Sequence, residues 1–156
     1  MNSSNTNVGG WPASEMRTYV NNNIYNALPE GLKENIIKTK VVSGHGSTSG
    51  ETNFTSEDKI YLLSIKEVWG KEGTTNTINH DTAEAETRQL DYYKTNGVTA
   101  ASSSETIKNY NGSLTIWWLR SAISSNAFDF CNVGIYGDWY NSYADGTRGV
   151  AVAFRI

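Results

Sequence analysis

The 156-residue sequence has one cysteine, two prolines and no long hydrophobic run. A single cysteine, Cys131, excludes a disulfide within the chain, so packing must stabilise the fold. No stretch approaches the ~18 apolar residues of a membrane helix, which predicts no membrane insertion, and no signal peptide opens the sequence. The net charge of −3, without a basic patch, argues against a nucleic-acid partner.

The last 36 residues contain no Glu, Lys, Gln or Met, although the first 120 contain ten, eight, one and two of these residues. Asn, Ser, Tyr, Asp, Gly, Phe, Ile and Arg take their place around a few apolar anchors. All eight types are encoded when only the adenines of an asparagine codon ending in a pyrimidine are replaced. The four missing types are not. This composition is typical of a segment that is diversified at the DNA level for binding.

Two helices are predicted near the N-terminus. Ser14 is expected to cap the first helix, which runs to about Ala27, and Pro29 is expected to open the second. The buried positions share helical spacing and are Met16, Val20 and Ile24 in the first helix, and Leu32, Ile36 and Ile37 in the second.

Short strands are predicted later in the chain. Their ranges are 38–42, 58–63, 114–120, 128–133 and 150–156. A helical turn is expected over 64–69 and helical residues over 83–93, whereas 43–50, 70–79, 98–104 and 134–149 are expected to be loop. Helices followed by short strands favour an α+β fold in one domain covering residues 1–156.

Four motifs occur in a specific order along the chain. They are Gly9-Gly10-Trp11 with Ser14-Glu15-Met16-Arg17, then Asp58-Lys59-Ile60-Tyr61-Leu62-Leu63-Ser64, then Trp117-Trp118-Leu119-Arg120-Ser121, and finally Gly149-Val150-Ala151-Val152-Ala153-Phe154. Together they resemble a bacterial and phage family of C-type-lectin-fold domains that is abundant in gut bacteria. Within it, the chain most resembles the variable proteins of diversity-generating retroelements, in which a reverse transcriptase copies a template with errors at adenines and replaces the 3′ end of the target gene.

The resemblance implies a C-type lectin fold with two N-terminal helices, a small, mainly antiparallel sheet and long C-terminal loops. Family members usually carry further strands before the Gly-Gly-Trp motif. We therefore expect either the C-terminal domain of a longer protein or a version with an open sheet edge that needs cover.

The resemblance also implies a ligand-binding surface within a diversified segment of about residues 121–149. The candidate residues are reachable from asparagine codons by adenine changes and are Ile123, Phe128, Asp129, Gly134, Ile135, Tyr136, Asp138, Tyr140, Asn141, Ser142, Tyr143, Asp145, Gly146 and Arg148. Trp139 joins them as a fixed aromatic residue, because Trp, Tyr and Arg dominate interface energetics. The fixed scaffold around them would include Trp117, Trp118, Leu119, Val150, Val152 and Phe154.

The three tyrosines Tyr136, Tyr140 and Tyr143 lie among Gly, Asp, Asn and Ser, without a helical or strand period. Exposed Tyr flanked by small polar residues is typical of antibody-like binding surfaces. The alternative is that these side chains hold a long loop against the domain.

Metal and enzyme hypotheses are weaker. Calcium takes six to eight oxygen ligands, and Asp129, Asp138 and Asp145 are the only acids in the last 36 residues. A formylglycine-generating enzyme, which shares the C-type lectin fold, uses reactive cysteine chemistry and a metal. Cys131 is more typical of a small packed residue, and His45 and His80 lack a partner at ligand spacing. No catalytic residue, metal or cofactor is predicted.

The sequence thus predicts a non-catalytic binding domain whose partner is a protein or glycan on a cell surface. Its expected location is a virion surface or a bacterial cell surface, and no particular oligomeric state is predicted. The main alternative is a fixed phage-tail or bacterial adhesin module without diversification.

Overall fold

The computed structural model describes residues 1–46, 53–70, 88–99 and 103–156. It is an α+β structure, with short helices in the first half and several small antiparallel sheets. Parts of four predicted segments lie outside the described residues: 47–50 of the loop 43–50, 71–79 of the loop 70–79, 83–87 of the helical segment 83–93, and 100–102 of the loop 98–104. His80 also lies outside them. None of the helices in the described ranges is both long and apolar enough to cross a membrane.

The first predicted helix is confirmed. After a short helix α1 (Gly10–Ala13) that was not predicted, its segments are α2 (Glu15–Tyr19), a π-helical segment (Val20–Ile24) and α3 (Tyr25–Ala27). The hydroxyl of Ser14 accepts the backbone N–H of Arg17 at 3.1 Å, which makes Ser14 the N-cap of α2. Val20 is fully buried, and Met16 and Ile24 pack against the core, as the apolar stripe predicts.

The second helix is shorter than its pattern suggested. Helix α4 (Glu30–Lys33) follows Pro29 and ends before the last two residues of the predicted stripe. Ile36 is buried, but Ile37 is 54% exposed, so the prediction that Ile37 lies on a buried side is wrong. The helical period no longer applies at Ile37, which instead forms a single antiparallel bridge with Arg155.

Two further α-helices and one 3₁₀ turn complete the described helical structure. They are α5 (Ile65–Trp69), α6 (Asp91–Thr95) and the 3₁₀ turn (Ser104–Thr106). Helix α5 confirms the turn predicted over 64–69. It begins with a capping box, in which Ser64 and Glu67 satisfy each other's backbone N–H groups.

Nine strands form four antiparallel sheets in the described part of the chain. The strands are β1 (Thr39–Ser43) paired with β2 (Phe54–Asp58), β3 (Tyr61–Leu62) with β9 (Val152–Ala153), β4 (Lys108–Tyr110) with β5 (Ser113–Thr115), and a sheet in the order β6 (Trp117–Ala122), β7 (Asp129–Val133), β8 (Trp139–Tyr143). Strands β1 and β7 match predicted segments closely, whereas the single strand predicted over 114–120 is divided between β5 and β6, which lie in different sheets.

Two further strand predictions and one loop prediction need correction. The segment 58–63 is divided between β2 and β3, and 150–156 contributes only the short β9 and the bridge at Arg155. The prediction that 134–149 is one long loop is wrong, because it contains β8. Strand β8 carries polar side chains on both faces, so it lacks the alternation that identifies a half-buried strand.

The core lies where the helices meet strands β6 and β7. Both strands are buried along their whole length, which explains why neither shows an alternating pattern. Trp11, Trp118 and Phe130 are among the largest fully buried side chains of a cluster that includes residues from most of the chain.

The first two motifs meet at the carboxylate of Asp58. Trp11 donates its indole N–H to this carboxylate at 3.0 Å, Arg17 donates its Nε at 2.7 Å, and Ser56 donates its hydroxyl at 2.7 Å. Asp58 is only 2% exposed, so a charge at this position requires these donors. The contacts fix the N-terminal helix against β2.

Arg120 is the other buried charge that joins distant segments. The side chain is 1% exposed and lies on β6. Its Nε donates to the carbonyl of Val42 at 3.0 Å, and one Nη donates to the carbonyl of Leu62 at 2.8 Å and to the carboxylate of Glu67. The guanidinium therefore ties β6 to β1, β3 and α5.

We expect Arg120→Ala to lower the free energy of unfolding by about 3–5 kcal/mol, because Glu67 would stay buried without its counter-charge. Urea titration followed by tryptophan fluorescence measures this change. The control is Arg88→Ala, since Arg88 pairs with Asp91 on the surface and both side chains are at least 70% exposed. Its urea midpoint should match the wild type; equal shifts in both variants would contradict a special role for Arg120.

Candidate ligand-binding surface

The candidate surface is built on the hairpin of β7 and β8. The connecting turn is closed by two backbone bonds, from Gly137 N–H to the Gly134 carbonyl at 3.0 Å and from Gly134 N–H to the Asp138 carbonyl at 2.8 Å. Gly137 has φ of +77°, and a Cβ at this position would collide with the backbone oxygen of Ser103. Glycine is therefore required there, and the turn presents Tyr136 at its tip.

Three tyrosines project from this hairpin into solvent. Tyr136, Tyr140 and Tyr143 are 70%, 62% and 60% exposed. Tyr140 and Tyr143 are three positions apart on β8, so their side chains lie on opposite faces of the strand. The exposed ring of Phe128 packs edge-on against Tyr143, with 5.6 Å between ring centroids. The exposed aromatic surface thus extends around β8 rather than over one face.

A buried carboxylate supports the Tyr143 face. Asp129 is 6% exposed and accepts hydrogen bonds from the side-chain amides of Asn126 at 2.9 Å and Asn141 at 2.6 Å. Because Asn141 lies on β8 and Asp129 on β7, this bond holds the two strands together through side chains as well as through the backbone.

A second polar group supports the Tyr140 face. The side-chain amide of Asn132 and the guanidinium of Arg148 both donate to the Ser142 hydroxyl, at 2.8 Å and 3.1 Å. Arg148 also lies over the ring of Trp118, with 6.0 Å from its guanidinium carbon to the ring centroid. The half-buried Arg148 therefore connects β8 to the buried Trp118.

Asn7 holds the loop between β6 and β7. Its side chain is fully buried, and its Nδ2 lies 2.8 Å from the carbonyls of Ile123 and Asp129 and 3.0 Å from that of Asn126. Sequence analysis missed this residue, because Asn7 lies in a polar N-terminal stretch where nothing distinguishes it from its neighbours. Only the fold brings it to a loop more than a hundred residues away.

A family model described as "Domain of unknown function (DUF6273)" matches residues 1–156. The chain belongs to this family. Neither a curated protein nor a solved structure matches it. The family match covers all four sequence motifs as well as the β7–β8 hairpin, so the candidate surface is part of the DUF6273 domain itself.

The predicted site residues of this DUF6273 domain occupy three environments. Those exposed to solvent are Phe128, Tyr136, Tyr140, Tyr143 and Asp145. Those half-buried are Gly134, Ile135, Asp138, Trp139, Asn141, Ser142, Gly146 and Arg148. Two are buried, Ile123 and Asp129.

Ile123 does not reach the surface. It is 2% exposed and belongs to the core cluster, and its backbone N–H donates to the Asp129 carbonyl at 3.0 Å. It directly follows β6, which is buried throughout, so the core continues to this residue. Asp129 is also buried, and its carboxylate accepts the side-chain amide of Asn141.

Two cavities are lined by residues outside the β7–β8 hairpin. A groove of about 620 Å³ is lined by the exposed Tyr110 and Leu114, with Lys108, Trp117 and Arg148. A more polar cavity of about 540 Å³ lies around the Arg120–Glu67 pair and includes Tyr61. Burial raises the pKa of the Tyr61 phenol, and the charge of Glu67 raises it further.

The residues considered for an enzyme or metal site are dispersed. Cys131 is fully buried within β7, and His45 is half-buried after β1. In residues 1–46, 53–70, 88–99 and 103–156, no group of three or more His, Cys, Asp and Glu side chains is arranged to hold a metal ion.

We expect Asn7→Ala to lower the free energy of unfolding by about 2–3 kcal/mol, because the variant removes three side-chain hydrogen bonds to the β6–β7 region and leaves the buried Ile123 carbonyl without this donor. Chemical denaturation measures the loss. The control is Asn109→Ala at an exposed position of β4, where we expect a change within about 0.5 kcal/mol. A loss at Asn7 no larger than that of the control would show that the loop does not depend on it.

Proposed function

We propose that the chain is a non-catalytic ligand-binding domain and that its partner is a protein or glycan on a cell surface. The observation that carries this proposal is the exposure of Tyr136, Tyr140 and Tyr143, 60–70% each, on a hairpin held by partly buried polar contacts. Exposed aromatic side chains of this kind supply a large contact area, and each orders only two side-chain torsions on binding.

The side-chain hydrogen bonds that hold β8 support a binding role for the tyrosines. The Asp129–Asn141 and Asn132–Ser142 bonds restrain β8 from both faces, so the tyrosines project from a backbone that is already ordered. A preorganised surface loses less conformational entropy when it meets a ligand, which raises affinity.

We further propose that the fold is the C-type lectin fold and that the surface is written by a diversity-generating retroelement. The order of the four motifs and the absence of Glu, Lys, Gln and Met from the last 36 residues support this. The exposed tyrosines are of a type that adenine changes produce, whereas Trp117 and Trp118 on β6 are not, and both are 1% exposed. On this proposal, residue types that adenine changes cannot produce, such as tryptophan, belong to the scaffold. A virion or bacterial cell surface is the location that such a receptor requires.

The double variant Tyr140→Ala/Tyr143→Ala tests the binding role. We expect loss of binding with a thermal midpoint close to the wild type, because both side chains lie mainly in solvent. Binding is measured against peptides and bacterial glycans first selected on the wild-type protein from a random peptide display library and a glycan array. The matched control is Tyr110→Ala, because Tyr110 is 71% exposed but lies on β4.

Two outcomes contradict the proposal. If the double variant binds the selected probes as well as the Tyr110 control does, the tyrosines are not the binding surface. If its thermal midpoint falls by many degrees, they belong to the packed structure instead.

The flanking DNA tests the diversification. We expect a near-copy of the 3′ end of the gene, with AAC or AAT codons at the positions of Tyr136, Tyr140 and Tyr143, next to a reverse transcriptase gene. Sequencing the locus decides the matter. A locus without such a copy would favour the alternative, a fixed adhesin module that uses the same surface.

A further inference from the structure

Strand β8 has one bonded edge and one open edge. Opposite residues of an antiparallel pair alternate between bonding each other and pointing their backbone groups away. Gly134 N–H donates to the Asp138 carbonyl at 2.8 Å, and Ala144 N–H donates to the Phe128 carbonyl at 2.7 Å. The register of the hairpin then makes Tyr140 and Ser142 the bonded positions of β8.

The remaining positions of β8 direct their backbone groups away from β7. They offer the N–H groups of Trp139, Asn141 and Tyr143 and the carbonyls of Trp139 and Asn141. The Tyr143 carbonyl already accepts the N–H of Gly146 at 2.8 Å. In the part of the chain that the structure describes, β8 pairs only with β7 and forms the edge of the sheet.

We propose that the ligand of this domain presents an extended peptide segment that adds as a fourth strand along the open edge of β8. This inference rests on the proposed binding function and deepens it, because it makes the ligand a polypeptide rather than a glycan. Addition of a strand to an exposed sheet edge is an established mode of peptide recognition, in which the main chain supplies affinity and alternate side chains supply specificity.

The position of the two tyrosines on β8 supports an approach along the edge. Tyr140 and Tyr143 lie on opposite faces of the sheet, so a ligand on one face meets only one of them. A strand beside β8 sends alternate side chains to both faces and meets both rings. Its own donors and acceptors repeat about every 6.7 Å, which is the repeat of the open groups of β8.

The length of the edge argues against a second copy of this chain as the occupant. Strand β8 has five residues and is about 17 Å long. A stable dimer buries on the order of 1,000 Å² or more, and a single pairing of such short strands supplies too little of it. A short peptide segment whose side chains also contact the tyrosines needs no such area.

The pair Asn141→Pro and Asn141→Ala tests the edge. Both variants remove the side-chain bond to Asp129, but only proline also removes the outward N–H. Proline is tolerated on edge strands where its nitrogen faces away from the neighbouring strand, so the β7–β8 ladder should remain. Amide NMR spectra of both variants verify that the hairpin is retained.

The probes are peptides selected on the wild-type protein from a random display library. We expect Asn141→Pro to bind them at least about tenfold more weakly than Asn141→Ala does, because the peptide loses one hydrogen bond at an edge that it covers when bound. In a second measurement, on the wild-type protein, N-methylation of alternate peptide residues should abolish binding in one phase of the alternation and leave it in the other. This measurement holds even if the proline variant fails to fold.

Equal binding by the two Asn141 variants, together with N-methyl effects that do not alternate, would overturn the edge proposal. Glycan binding that depends on Tyr140 and Tyr143, with no peptide selected, would overturn it while leaving the proposed function intact. Binding that survives loss of both tyrosines would overturn the proposed function itself. A wild-type dimer that Asn141→Pro converts to a monomer in light scattering would assign the edge to a second copy and overturn the peptide proposal.

Discussion

The need to pair a buried guanidinium constrains most of this structure. Arg120 is almost fully removed from water, so its N–H groups must find acceptors inside the protein. The acceptors come from Val42, Leu62 and Glu67, between 53 and 78 residues earlier in the chain. These hydrogen bonds to Arg120 form only when β1, β3 and α5 converge on β6. The Glu67 carboxylate also accepts the backbone N–H of Ser64 at 2.8 Å, so the same ion pair sets the start of α5.

This constraint reaches the candidate surface through the order of the sheet. Strand β6 is fixed by Arg120, β7 pairs with β6, and β8 pairs with β7. Strands β6 and β7 are both buried throughout, whereas β8 contains only half-buried and exposed residues. The hairpin is thus anchored on one side and open on the other. Substitutions on β8 can change the surface while the strands that determine the fold remain in place.

Local signals in the sequence predicted the parts of the structure that local physics determines. The cap at Ser14 and the spacing of Met16, Val20 and Ile24 specify a helix whatever the rest of the chain does, and the structure has that helix. The positions of Asn7 and Ile123 depend instead on contacts between the two ends of the chain, which no local pattern encodes.

Strand β8 was missed for a different reason. It is an edge strand whose polar residues bond sideways to Asp129 and Asn132, so burial leaves no period of two. Another hairpin did carry a local signal: Asn111-Gly112 forms the two-residue turn between β4 and β5, with both residues at positive φ.

The same mixed composition that hides β8 in the sequence makes this strand tolerant of substitution. If β8 is rewritten by adenine changes, its side chains vary while its backbone donors and acceptors persist, except where both adenines of an asparagine codon become cytosine and proline results. Proline at Tyr140 or Ser142 would break backbone bonds to β7, whereas at Asn141 it would remove an outward backbone donor and the side-chain bond to Asp129 but leave the backbone ladder in place. A diversified edge strand therefore combines a constant means of holding a peptide main chain with variable side chains that select its sequence.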